Sequence, residues 1–88
     1  MQQDTAVLAN KHGLHARPAA EFVKLATGFT SDVKLTKDGL TVDGKSIMGV
    51  MMLAAERGSR VQIVTTGEDE KEALRALKAF LETDHRED

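Results

Sequence analysis

The sequence predicts an α+β domain in which one antiparallel sheet carries its helices on a single face. Strand-like segments alternate apolar and polar residues, as expected of strands with one buried face. Two of these segments flank Asp38-Gly39, a dipeptide that favours a tight hairpin. The predicted elements follow the order strand, helix, strand, strand, helix, strand, helix. This order suits a two-layer arrangement of helices on a sheet.

The strands are predicted from four short β-compatible runs. In the predicted hairpin, Val33 and Leu35 alternate with polar residues before the turn, and Leu40 and Val42 do so after it. Each pair is therefore expected on the buried face of the sheet. The four runs are TAVLAN (5–10), SDVKLTK (31–37), LTVDG (40–44) and RVQIVTTG (60–67).

Three helices are predicted between and after the strands: one at about 16–27, a short one after Ser46, and one at about 69–82. The last has the clearest helical periodicity, because its apolar residues form one stripe. Acidic residues at 68–70 are expected to lie at the positive end of its dipole. The stripe consists of Ala73, Leu74, Leu77, Phe80 and Leu81.

Composition limits the possible functions. The 88 residues are 41% hydrophobic, enough for one domain, expected to span 1–88, with a modest core. The absence of cysteine excludes disulfides and thiolate zinc sites. With 12 basic and 14 acidic residues and neither Trp nor Tyr, the chain has no nucleic-acid-binding signature. No leader or membrane-spanning run is apparent, so we expect a cytoplasmic protein.

The segment GLHARPAAEF combines a histidine and an arginine with the start of a predicted helix. A helix beginning near Ala16 leaves its first N–H groups without intrahelical partners, which is why Pro18 is tolerated there. These donors and the helix dipole attract an anion beside His15. Neutral imidazole is a nucleophile, and Arg17 can donate charge-assisted hydrogen bonds to a phosphoryl group. The residues predict a phosphohistidine site, while a capping histidine beside a solvated arginine is the structural alternative.

The segment GKSIMGVMML predicts a short helix with Ser46 as its N-cap. On a helical wheel Val50, Leu53 and Ala54 cluster on the side expected to be buried. A short helix in a two-layer domain cannot also bury its other side, so we expect much of that methionine-rich surface to be exposed for protein contacts. The alternative is that Met51 fills the core. The second side consists of Ile47, Met48, Met51 and Met52.

The two motifs, GLHARPA and GKSIMGVMML, resemble those of the HPr family of phosphocarriers in the bacterial phosphoenolpyruvate:sugar phosphotransferase system, and the similarity covers nearly the whole chain. The resemblance implies an open-faced two-layer sandwich with strand order 1-4-2-3 and three helices on one face. It implies that His15 accepts phosphoryl at Nδ1 from enzyme I and passes it to sugar-specific IIA domains, assisted by Arg17. The expected protein is a covalent carrier, not a self-sufficient enzyme, and no cofactor is implied.

The resemblance also assigns roles to the second motif. It implies that Ile47, Met48 and Met51 dock on enzyme I and on IIA domains. It further implies regulatory phosphorylation of Ser46 by HPr kinase/phosphorylase, with the product acting through a catabolite control regulator. Two rival functions stay open: a nitrogen-branch phosphocarrier, whose relatives match KSIMGVM less well, and a regulatory HPr-like binding module, whose relatives lack the phosphorylatable histidine.

Two other histidines need separate interpretation. His12 lies three residues before His15, but Gly13 interrupts any helix between them and no third ligand is evident, so we predict no metal site. We expect His12 to be an exposed loop residue that modulates the local field. His85, in the polar segment TDHRED, is expected to be unstructured and inert.

Overall fold

A four-stranded antiparallel sheet forms one layer of the protein, and three helices pack on one face of it. The computed structural model describes residues 1–84. The strand order 1-4-2-3, with the strands numbered along the chain, confirms the predicted open-faced sandwich. None of the described helices is long and apolar enough to cross a membrane. The elements are β1 (Gln2–Val7), α1 (Ala16–Thr27), β2 (Asp32–Lys37), β3 (Leu40–Asp43), α2 (Ile47–Met52), β4 (Arg60–Thr66) and α3 (Glu70–Leu81).

The predicted hairpin joins β2 to β3. Lys37 pairs with Leu40, so Asp38 and Gly39 form a two-residue loop, and their φ values of 50° and 81° are those of the turn that matches strand twist. Val42 is buried as expected. Leu40 is 42% exposed, which corrects its assignment to the buried face, because it lies beside the turn on an edge strand.

The first strand begins and ends earlier than the apolar run at 5–10 predicted. β1 starts at the polar residue Gln2 because β4 supplies a hydrogen-bonding partner along its whole length, with Gln2 opposite Thr65. The ladder ends at Val7. Leu8 then leaves the sheet but remains buried, so the apolar character of the run reflects burial beyond the strand itself.

The core lies between the sheet and the helices. Phe22 of α1 is fully buried and meets Phe80 of α3 edge to face, with ring centroids 5.9 Å apart. The stripe predicted on α3 faces this core: Leu77 and Leu81 are buried, and Leu74 packs against them at the margin. The two long helices are therefore held on the sheet by apolar contacts.

The end of α2 departs from the helical wheel. The helix stops at Met52, and Ala54 has a φ of 50°, which turns the chain into a left-handed conformation. Ala54 is consequently exposed, and Ala55 is buried in its place. The prediction that Ala54 is buried was wrong because a wheel extends a regular helix past the residue where this one ends.

Asp69 connects α3 to the loop before β2. As expected, this acidic residue lies at the N-terminus of its helix, where it is the N-cap, although its side chain makes no capping hydrogen bond. Its carboxylate instead accepts the N–H groups of Thr30 and Ser31, each at 2.9 Å, and the Ser31 hydroxyl. The hydrogen bond from the Ser31 hydroxyl, followed by that from the Thr30 N–H, lowers the pKa of Asp69 from 3.8 to about 2.

Asp69→Ala should therefore destabilise the protein in a pH-dependent manner. Because the pKa is lower in the folded state, the stabilisation is complete above the unfolded value of 3.8 and is lost as the pH falls through about 2. Thermal unfolding from pH 7 to pH 2 should show a lower Tm for the variant at neutral pH and converging curves in acid. Glu68→Ala, which removes the neighbouring charge, is the control. A Tm difference that did not change with pH would contradict this assignment.

Candidate functional site

His15 is the N-cap residue of α1. Its backbone is extended, with φ −80° and ψ −171°, and its carbonyl accepts the Ala19 N–H at 2.9 Å. Its imidazole makes no capping hydrogen bond and is exposed. Ala16 and Arg17 come next, and at these positions a helix has no earlier carbonyl to bond their N–H groups. An exposed nucleophile thus lies beside backbone donors and the positive end of the dipole of α1.

The loop before His15 is fixed against the segment that follows α2. Gly13 has a φ of 72°, and a Cβ atom there would overlap the carbonyl oxygen of Ala55. That same oxygen accepts the Leu14 N–H at 3.0 Å. Asn10 closes the loop by donating from Nδ2 to the Gly13 carbonyl at 2.9 Å, while its own carbonyl accepts the Gly13 N–H at 3.0 Å. These contacts set the direction in which the chain enters α1.

A shallow depression of about 260 Å³ lies beside His15. The His12 and His15 rings meet edge to face on it, with centroids 6.1 Å apart and an angle of 74° between their planes. Met51 of α2 and Glu56 of the following loop also line it. The depression therefore joins the predicted nucleophile to the predicted docking helix. It is lined by His12, Leu14, His15, Met51, Ala54, Ala55 and Glu56.

The exposed side of α2 is apolar. Met48 is 71% exposed and Met51 is 39% exposed, so the alternative in which Met51 fills the core is wrong. Ile47 is also exposed, while Val50 on the opposite side is fully buried. The structure thus presents Ile47, Met48 and Met51, which we call the α2 surface, on the flank of the depression.

Ser46 caps the short helix α2 as predicted. Its Oγ accepts the N–H of Gly49 at 3.1 Å, and the residue is half-buried. Lys45 beside it donates from Nζ to the Phe29 carbonyl at 2.8 Å and anchors the loop that precedes the helix. The hydroxyl of Ser46 is thus placed at the start of α2, next to the α2 surface.

Arg17 is exposed in the first turn of α1, two residues beyond His15, and lies outside the depression. Among residues 1–84 no three His, Cys, Asp or Glu side chains form a group that could hold a metal ion. His85, which we expected to be unstructured and inert, lies outside the described residues.

Glu56 and Ala54 were not predicted as site residues. Both lie about forty residues along the chain from His15, and no local spacing relates them to it. The close approach of Gly13 to Ala55 brings the two segments together. Gly13, two residues before His15, was the one sequence signal for such an approach.

Known proteins resemble this chain along most of its length. The family model described as "PTS HPr component phosphorylation site" matches residues 2–83. Phosphocarrier protein HPr of Cupriavidus necator is 53% identical over 81 residues, covering 92% of this chain and 90% of that protein. HPr-like protein Crh of Bacillus subtilis is 51% identical over 82 residues, covering 93% and 96%.

The fold comparison agrees with the sequence comparison. The crystal structure of a phosphocarrier protein HPr from Bacillus anthracis superposes with a TM-score of 0.89 and 49% identity, covering 91% of this chain and 95% of that one. The sequence motifs, the strand order and these matches have one common explanation: this chain belongs to the HPr family of the phosphotransferase system.

Proposed function

We propose that this chain is a cytoplasmic phosphoryl carrier that accepts a phosphoryl group from phospho-enzyme I on His15 and delivers it to sugar-specific IIA domains. The exposed, uncapped imidazole of His15 at the start of α1 carries the proposal. The imidazole neither caps its helix nor packs in the core, so it can act as a nucleophile. Membership of the HPr family supports the assignment.

The transfer exchanges one bond to phosphorus for another. A lone pair on a ring nitrogen of His15, Nδ1 by family resemblance, forms a P–N bond as the bond between phosphorus and the donor atom of phospho-enzyme I breaks. The donor atom leaves with the electron pair of the broken bond. The N–H groups of the first turn of α1 and the guanidinium of Arg17 offer donors for the phosphoryl oxygens. A second exchange of the same kind passes the group to a IIA domain, so the chain ends the cycle unchanged and acts as a carrier, not an enzyme.

The α2 surface suits the docking that such transfers need. Ile47, Met48 and Met51 form an exposed apolar patch, and Met51 also lines the depression beside His15. Methionine side chains are flexible and polarizable, which lets one surface fit several partners. We assign the contacts with enzyme I and with IIA domains to this patch.

Ser46 is the proposed regulatory site. Its hydroxyl lies at the N-terminus of α2 and adjoins the α2 surface. A phosphate there would add negative charge at the edge of the docking patch, where binding would remove it from water. An HPr kinase/phosphorylase and a catabolite control regulator are the partners that this role requires.

A regulatory binding module is the second candidate function. The 51% identity with the HPr-like protein Crh favours it. His15 favours the carrier, because a module that only binds has no need of an exposed nucleophile at this position. Incubation with enzyme I and phosphoenolpyruvate, followed by intact mass measurement at neutral and acidic pH, separates the two functions. One acid-labile phosphoryl group on the protein supports the carrier. A protein that carries no such group contradicts it.

His15→Ala should abolish this labile modification completely, because no other side chain is proposed to accept the group. The Tm should change little, since His15 is exposed and contributes little to the core. Intact mass and thermal unfolding check the two statements on one sample. Labelling that persists in the variant would exclude His15 as the acceptor.

Arg17→Ala should slow phosphoryl transfer by roughly 10- to 100-fold without removing the acceptor, because it takes away charge stabilisation only. Arg17→Lys should recover part of the rate, since a lysine keeps the charge but loses the planar fork. Rapid-quench measurement of transfer from phospho-enzyme I in both directions gives the rates. Wild-type kinetics in both variants would show that Arg17 takes no part in the transfer.

Ser46→Asp should raise the apparent KM for the protein as a substrate of enzyme I while leaving its Tm unchanged or higher. The added charge is favourable at a helix N-terminus but unfavourable beside a docking patch that becomes buried. Ser46→Asn is the matched control, because asparagine also caps helices and has nearly the same shape as aspartate without the charge. An unchanged KM together with a large loss of stability in Ser46→Asp would show that Ser46 is only a structural cap.

A further inference from the structure

His12 is a second imidazole beside the proposed phosphoryl acceptor. Its ring meets the His15 ring edge to face at 6.1 Å, and both side chains are exposed on one depression. The loop that carries His12 is held by the Asn10–Gly13 hydrogen bonds and by the bond from the Lys11 N–H to Asp84 Oδ1 at 3.0 Å. The backbone from which the two rings project is therefore fixed.

Phosphorylation of His15 changes the electrostatics at His12. A phosphoryl group carries roughly two negative charges near pH 7. The two imidazoles are closer than the Debye length of about 8 Å at physiological salt, so a charge bonded to one ring acts on the other. Histidine is the side chain that changes charge between pH 5 and 8, and a nearby anion favours its protonated form.

We infer that protonated His12 is an electrostatic partner of the phosphoryl group on His15, so that phosphorylation and proton uptake at His12 favour each other. The inference rests on the function proposed above and adds a pH-sensitive positioning residue to it. The coupling is reciprocal: a phosphoryl group on His15 retains the proton on His12, and a proton on His12 stabilises the phosphorylated state.

Other charged groups lie near His12, either on the same depression or a few residues away along the chain. Glu56 lines the same depression from the loop after α2. Lys11 precedes His12 in the chain, and its N–H donates to the carboxylate of Asp84, which lies after α3. Arg17 lies in the first turn of α1. The part of α2 that lines the depression contributes the uncharged Met51. These groups and the phosphoryl group itself are the same in wild type and in a variant of residue 12, so a comparison of the two chains isolates the part of the pH dependence that comes from His12.

A competition experiment measures this coupling directly. Phosphorylated wild-type protein is mixed with an equal amount of unphosphorylated His12→Gln, and a catalytic amount of enzyme I equilibrates the phosphoryl group between them. One P–N bond breaks and one forms in each exchange, so the pH dependence of the donor cancels. Intact mass distinguishes the two chains and gives the equilibrium ratio at pH 6 and at pH 8.

The phosphoryl group should favour wild type by roughly threefold to tenfold more at pH 6 than at pH 8, as expected for an exposed pair of opposite charges. His12→Lys carries a fixed charge, so it should match wild type at pH 6 and exceed it at pH 8. Lys24→Gln is the control: it removes a unit charge from the last turn of α1, roughly 13 Å along the helix from His15, and should give a ratio near one at both pH values.

The outcomes separate this inference from the proposed function. A wild-type protein that takes up no phosphoryl group would overturn both. A labelled wild type whose ratio to His12→Gln is the same at pH 6 and pH 8 would overturn the role of His12 alone. Two phosphoryl groups on wild type and one on the variant would make His12 an acceptor, which also overturns it.

Discussion

The contact between Gly13 and Ala55 is the constraint on which the site depends. Gly13 approaches the Ala55 carbonyl too closely for any side chain, and the next residue, Leu14, bonds that carbonyl and inserts into the core. The loop before α1 therefore has one position relative to the segment after α2. This position sets His15 at the N-terminus of a helix and, at the same time, beside Met51.

The short helix α2 presents an apolar surface to solvent although it buries little of itself in the core. Only Val50 of its six residues is buried, and Leu53 anchors the chain directly after it. The helix therefore depends on its cap and on its connections more than on burial, since so short a helix is marginal by itself. Ser46 both caps the first turn of the helix and borders the α2 surface. A charge placed there would lie beside the α2 surface and outside the core.

The C-terminal helix holds the sheet and the loop of the site from opposite ends. At its start, Asp69 binds the backbone before β2. At its end, the Leu81 carbonyl accepts the Ala9 N–H at 3.0 Å, and Asp84 accepts the N–H of Lys11. Residues about seventy positions along the chain from the imidazoles thus fix the backbone from which the imidazoles project. The side chains of the site can be exposed because the loop that carries them is hydrogen-bonded to the end of α3.

Local patterns in the sequence determined the order of the elements and the place of His15 at the start of a helix, while tertiary contacts decided what surrounds that histidine. The Asp38-Gly39 turn, the capping role of Ser46 and the start of α1 after His15 follow from backbone preferences that act within a few residues. The exposure of Ala54 did not, because periodicity carries no information about where a helix stops. The placement of His15 and Glu56 on one depression required two loops to meet across the fold. Sequence spacing records neighbours along the chain, and only packing creates neighbours in space.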